Sequence, residues 1–420
     1  MLRALYTVAA FLLLPAIMVR LAVRSLRAPA YRRRWAERLG RFEPPGRSAG
    51  LWIHAVSVGE AQAIAPVVRH VLAEHPQLPI TVTTTTPTGS ERVRLLFGAS
   101  VHHVYFPYDL PFAVAGFLDR VRPRLLLMVE TEIWPNLLAA CERKGIRTLL
   151  ANARMSERSA RRYARLGGFT RETFGRLTRV AAQSETDAGR FVDLGVDPKR
   201  VCVTGSIKFD LDLPASAREH AQVLRQRLGA DRPVWVAAST HEGEDEAVLE
   251  AHAMVRRTLP DALLILVPRH PERFDRVAGL CQRRGCALAR RSGAESCADD
   301  TAVLLGDTMG ELIVLLGASD AAFVGGSLVP VGGHNMLEAA AQGLALAFGP
   351  HTFNFAPISK LLLAEGAAVR VRDSRELGSV MTRWLSDASE RSIVGENGRR
   401  VVEENRGALP ALLRELDALL

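Results

Sequence analysis

The feature that most constrains this chain is an alternation that runs twice. Short apolar stretches, each rich in Val, Leu, Ile or Thr, are followed by amphipathic helical stretches: "LWIHAVSV", "PITVTTTT", "RLLLMVE", "RTLLANAR" and "RVCVTGS" before residue 208, then "PVWVAAST", "ALLILVPRHP", "TAVLLGD", "DAAFVGGS" and "LALAFGP". Buried strands alternating with helices dictate a parallel sheet covered on both faces. The segment "KFDLDLPAS", 208–216, breaks the rhythm and predicts a linker. Two doubly wound halves then predict a cleft where the C-terminal ends of two sheets meet, since open α/β sheets bind ligands there.

The N-terminus carries a second signal. Ala4 to Val19 holds no charge, and Arg20, Arg24, Arg27, Arg32, Arg33, Arg34, Arg38 and Arg41 follow. A cleaved leader has its positive charge before the apolar run, so this order predicts an uncleaved anchor with a basic collar on anionic headgroups. The positive-inside rule then places the bulk of the chain in the cytoplasm. The net charge of +9 favours an anionic partner. The five cysteines show neither C-x-x-C nor zinc spacing and fit a reducing compartment.

Both the P-loop and the dinucleotide fingerprint are absent, which points these two nucleotide-type halves toward sugar-nucleotide chemistry. In "FVGGSLVPVGGHNMLEAAAQG" two diglycines flank a loop, and a helix is expected to open near Asn335 and to attract a nucleotide phosphate, with Glu338 near a ribose diol. In "GDTMGELIVLLG", Asp307 or Thr308 is expected to cap a helix whose first turn holds Met309, Gly310 and Glu311. Arg269, between Pro268 and Pro271 with His270, suits an anion. "STHEGED" reads as a helix cap with acidic first-turn residues. In the first half, Glu60, Glu130 and Glu132 end strands and invite a general base, and Lys208 faces the same edge; ordinary salt bridges are the competing account. Asp210-Leu211-Asp212 matches a metal-binding D-x-D, but its linker position argues against a metal.

Together, "APAYRRRWAERLG", "HAVSVGE", "TVTTTTPTGSERV", "ETEIWPN", "ANARMSERS", "TGSIKFD", "STHEGE", "LVPRHPERF", "GDTMGEL", "GGHNMLEAAA" and "GPHTFNF", in order, resemble the Kdo (3-deoxy-D-manno-octulosonic acid) transferases of Gram-negative bacteria. The resemblance implies a GT-B fold. Residues 1–30 would be anchor and collar, 31–210 a Rossmann-like acceptor domain, and 211–420 a Rossmann-like donor domain whose last helix packs back on the first. It implies an inverting transfer from CMP-Kdo to the lipid A precursor (lipid IVA, a tetraacyldisaccharide 1,4′-bisphosphate), leaning toward the bifunctional type. The site would be on the cytoplasmic side of the inner membrane, beside anionic lipids, with no cofactor, metal or nucleic acid. Carried over, Glu60 is the base, and Glu130 and Lys208 stabilise the transition state. Pro268, Arg269, Met309, Gly310, Glu311, Asn335, Met336, Leu337 and Glu338 bind CMP. Met336 stands where relatives often carry proline, which bears on the helix start.

Overall fold

The computed structural model describes residues 2–211, 213–293 and 297–420. The chain divides into two compact units, Met1–Asp210 with Arg406–Leu420, and Leu211–Asn405.

The first unit is built on seven parallel strands: β1 (Leu51–His54), β2 (Ile80–Thr84), β3 (His102–Tyr105), β4 (Leu125–Val129), β5 (Arg147–Ala153), β6 (Arg179–Ala182) and β7 (Val201–Val203). Their order is β3-β2-β1-β4-β5-β6-β7. β1, β2 and β4 are buried at every position because helices cover both faces. Alternate residues feed two cores: Trp52, Leu126, Met128 and Leu150 on one face, Ile53, Leu127, Val129 and Leu149 on the other. The C-terminal helix Ala408–Asp417 belongs to this unit because Ala408, Leu412 and Leu416 complete the second core. The Asp210 carboxylate ties that helix down by accepting the Gly407 and Leu409 N–H groups, each at 2.7 Å. This capping role occupies one half of the D-x-D pair; Asp212 lies outside the described residues.

The second unit repeats the plan with β8 (Val234–Thr240), β9 (Leu263–Pro268), β10 (Leu288–Arg290), β11 (Val303–Leu305), β12 (Ala321–Val324), β13 (Ala345–Phe348) and β14 (Ala368–Arg370). Their order is β10-β11-β9-β8-β12-β13-β14. Each sheet therefore has a switch point, between β1 and β4 and between β8 and β12. Connections leave in opposite directions there and open a crevice at the C-terminal edge.

Helix α1 (Leu2–Arg27) has 26 residues and is long and apolar enough to cross a membrane. One stripe, Thr7, Ala10, Leu14, Met18, Leu21 and Ser25, is shielded, while Leu5, Val8, Leu12, Val19, Val23 and Leu26 are exposed. Tyr6 donates to Asp109 at 2.9 Å and Thr7 to Asn136 at 3.0 Å, so α1 is fastened to its own unit. The collar is not one surface. Arg34 turns inward to Glu37, Ser90 and His103. Arg38 is buried, donates to the Thr85 carbonyl at 2.8 Å, and stacks 4.3 Å over Tyr105. These two arginines hold the fold; Arg32, Arg33 and Arg41 stay exposed.

Candidate active site

In the first unit, the loop after β1 enters the short helix Val58–Ala63, whose N-cap is Ser57. Ser57 Oγ accepts the Glu60 N–H at 3.3 Å and donates to Glu60 Oε1 at 3.1 Å; Glu60 Oε2 accepts the Val56 N–H at 2.7 Å. This is a capping-box arrangement over Ser57-Val58-Gly59-Glu60 in which the carboxylate reaches one residue past the N-cap, to the Val56 N–H. It fixes the carboxylate at the switch point. Burial first, and then the charges of Glu130 and Glu132, push the Glu60 acid up to about 7 against the opposing pull of its two hydrogen bonds.

Glu130 follows β4 directly, in a left-handed conformation (φ 61) with its N–H on the Ala151 carbonyl. A non-glycine residue held there is strained, and its side chain pairs with Lys208: Nζ to Oε1 is 2.9 Å. Asn152, fully buried and also left-handed (φ 51), sits where β5 slips register against β6. Its Oδ1 accepts the Ile207 N–H at 3.2 Å and so holds the Lys208 loop. Glu132 accepts from Trp134 Nε1 at 2.8 Å and lies 3.6 Å from Nε2 of the buried His54. The structure thus gathers Glu60, Glu130, Glu132 and Lys208 at one sheet edge. The sequence reading missed Asn152 and His54; a polar residue inside an apolar strand was the available signal.

In the second unit, the diglycine after β12 is held by Glu244. Its fully buried carboxylate accepts the backbone N–H groups of Gly326 (2.6 Å), Ser327 (2.9 Å), Leu328 (2.8 Å) and His241 (2.8 Å). "STHEGED" therefore does more than cap: its helix starts at Asp245, while Glu244 anchors a loop 80 residues on. Gly325 is required because a Cβ there would meet the Ser239 carbonyl at 2.8 Å.

Pro268 ends β9 and Arg269 follows, its N–H on the Thr240 carbonyl at 3.0 Å. Asn335 Nδ2 donates to Glu338 Oε1 at 3.0 Å, and burial raises the Glu338 acid above its ordinary range. The helix expected near Asn335 begins at Leu337 and has five residues, with Met336 buried at its N-cap and the Asn335 side chain accepting the Leu337 N–H at 3.2 Å. One expectation is corrected: Met309, Gly310 and Glu311 precede their helix, Leu312–Gly317, rather than forming its first turn. Asp307 caps nothing there: it pairs with Arg290 at 2.7 Å and accepts from Ser292, while Glu311 pairs with Arg291 at 2.7 Å.

Residues 33–211 match the family described as 3-deoxy-D-manno-octulosonic-acid transferase (kdotransferase). A 3-deoxy-D-manno-octulosonic acid transferase of Haemophilus influenzae is 42% identical over 98% of this chain and 97% of its own length. One from Bordetella pertussis is 38% identical over 99% of this chain and 98% of its own. The chain belongs to the Kdo transferase family. It is a glycosyltransferase, and the two seven-stranded sheets of this Kdo transferase family member are those of the GT-B fold. A glycosyltransferase structure from Rickettsia africae, 14% identical, superposes with a TM-score of 0.55 over 89% of this chain and 98% of its own, a likeness of fold alone.

Proposed function

We propose that this chain transfers Kdo from CMP-Kdo to lipid IVA with inversion, in lipopolysaccharide core biosynthesis at the cytoplasmic face of the inner membrane. Glu60 acts as general base. The observation that carries the reading is a carboxylate whose acid is raised to about 7, at the switch point, beside the Glu130–Lys208 pair. A base poised near neutrality takes a proton from a sugar hydroxyl far better than an ordinary surface carboxylate. The acceptor oxygen attacks the anomeric carbon, its proton passes to Glu60, and the bond to the CMP phosphate breaks with its electron pair leaving on CMP. Lys208 and Glu130 hold the local charge, and Arg269 with the Asn335–Glu338 and Met309–Glu311 segments hold the nucleotide.

The exposed apolar stripe of α1 supports a seat at the bilayer, with the acceptor's acyl chains remaining in the lipid. Mass spectrometry of the product formed from CMP-Kdo and lipid IVA tests acceptor and reaction together, and counts the Kdo residues added. CMP should raise the melting temperature and UDP-sugars should not; the reverse pattern would refute the donor assignment.

A further inference from the structure

The C-terminal edge of the second sheet carries three imidazoles that the transfer described above does not use. His241 follows β8, His270 follows β9, and His334 lies in the loop that leaves β12. His241 and His334 therefore flank the β8/β12 switch point. Their rings are parallel within 8°, and Nε2 of one lies 2.8 Å from Nε2 of the other. At that distance one nitrogen must donate and the other accept, so the pair holds one proton between the two Nε2 atoms. A second proton there would place two N–H groups against each other and break the contact.

The surroundings keep the pair neutral. Burial pushes His334 down to about 3, with His241, Arg269 and His270 adding to the effect. Burial also lowers His241, with His270, Arg273 and Arg269 adding to it and Glu244 opposing. Glu244 is engaged by four backbone N–H groups, and Arg273 pairs with Asp245. Among the described residues, the Arg269 guanidinium has no ion-pair or hydrogen-bond partner. The fold also reserves this place: a Cβ on Gly326 (φ 66) would lie 3.0 Å from the His334 ring.

We propose that the His241–His334 pair is a proton-coupled receptor for the donor's anionic groups. Docking of a nucleotide phosphate against Arg269 draws one proton from solvent onto the pair, the Nε2–Nε2 contact opens, and both rings turn N–H groups to the anion. The anion supplies the stabilisation that the free site lacks. This rests on the donor assignment above. Its consequence is that nucleotide affinity weakens as pH rises, through residues remote in sequence from Glu60.

The experiment is titration calorimetry of the full chain with CMP, between pH 6.5 and 8, in two buffers of different ionisation enthalpy. Wild type, His334→Gln and His241→Asn are compared. The phosphate of CMP has its own proton equilibrium near ~6, and it contributes alike in all three. The wild type is expected to take up about one proton more per CMP than either variant. Its affinity should fall up to ~10-fold per pH unit relative to theirs. Equal uptake in all three overturns the proposal. Wild type that does not bind CMP at all sinks the donor assignment instead, a distinct result. Either variant alone decides, so a misfolded one leaves the other to report.

Discussion

Lys208 Nζ lies 2.9 Å from Glu130 Oε1, on a glutamate held at φ 61. The strain and the pair together keep a positive charge next to a carboxylate that itself raises the acid of Glu60. The three side chains form one electrostatic unit, and changing any of them moves the others.

Removing the Glu130 charge tests this coupling. Glu130→Gln deletes a like charge near Glu60 and removes the Glu130 charge from beside Lys208. Both effects favour the Glu60 carboxylate, so the acid limb of the kcat/KM profile should move below pH 7. Lys208→Met leaves the Glu130 charge unpaired and should move the limb above pH 7, with slower turnover. Limbs that stay put in both variants would remove Glu60 as the titrating base.

Glu60 itself makes a stability prediction of definite sign. Its folded acid is raised to about 7 from 4.5. The stabilisation from the protonated form is therefore complete below pH 4.5 and lost as pH rises through 7. Glu60→Gln stays neutral, so it should match the wild type near pH 4 and exceed it at pH 9, by at most ~3 kcal/mol. The same variant should lose ~10²- to 10⁴-fold in turnover with CMP affinity retained. Thermal unfolding across pH, with product assays, measures both.

The fold was legible because its evidence is periodic. β4 and β9 are continuous apolar runs, and helix faces recur at three- and four-residue spacing. Glu60 was legible because Val58-Gly59-Glu60 closes the apolar run of β1 where a helical pattern begins. Glu244 was not, since no local pattern ties residue 244 to the N–H groups of 326–328. His334 against His241 hides for the same reason, 93 residues apart. The collar arginines misled in the opposite way: the charge of Arg38 is plain in the sequence, but its Tyr105 platform is not. The helices start at Leu312, after a Glu311 engaged by Arg291, and at Leu337, whose N–H the Asn335 side chain accepts, and neither partner could be read from the local pattern.

The fastening of α1 predicts a separable effect on localisation. Tyr6→Phe removes the hydroxyl donor to Asp109, which still accepts the Asn136 and Leu137 N–H groups at 2.9 and 2.8 Å. The fold should lose only ~1 kcal/mol. Deleting residues 1–27 removes the exposed apolar stripe and should abolish co-sedimentation with anionic vesicles, while CMP binding should persist because the residues proposed for it lie in the second unit. Loss of CMP binding on deletion would show that α1 serves the second unit, contrary to this division.

Glu244 gives the sharpest test of the second unit's loop. Its two oxygens accept four backbone N–H groups with no exposed surface, so the loop conformation depends on both oxygens being acceptors. In Glu244→Gln one oxygen becomes an NH2 facing the N–H groups it formerly received, either the Ser327–Leu328 pair or the His241–Gly326 pair. Leaving two buried donors unsatisfied costs roughly 2–5 kcal/mol, against far less for a surface glutamate. The loop should relax away from its anchor, weakening CMP by at least ~10-fold while Glu60 keeps its pH profile. Glu244→Asp, which retains charge but shortens the reach, should fall between. Calorimetry with CMP and the pH dependence of kcat check the two halves separately. A glutamine variant that binds CMP like the wild type would show that the diglycine loop holds its shape without this carboxylate.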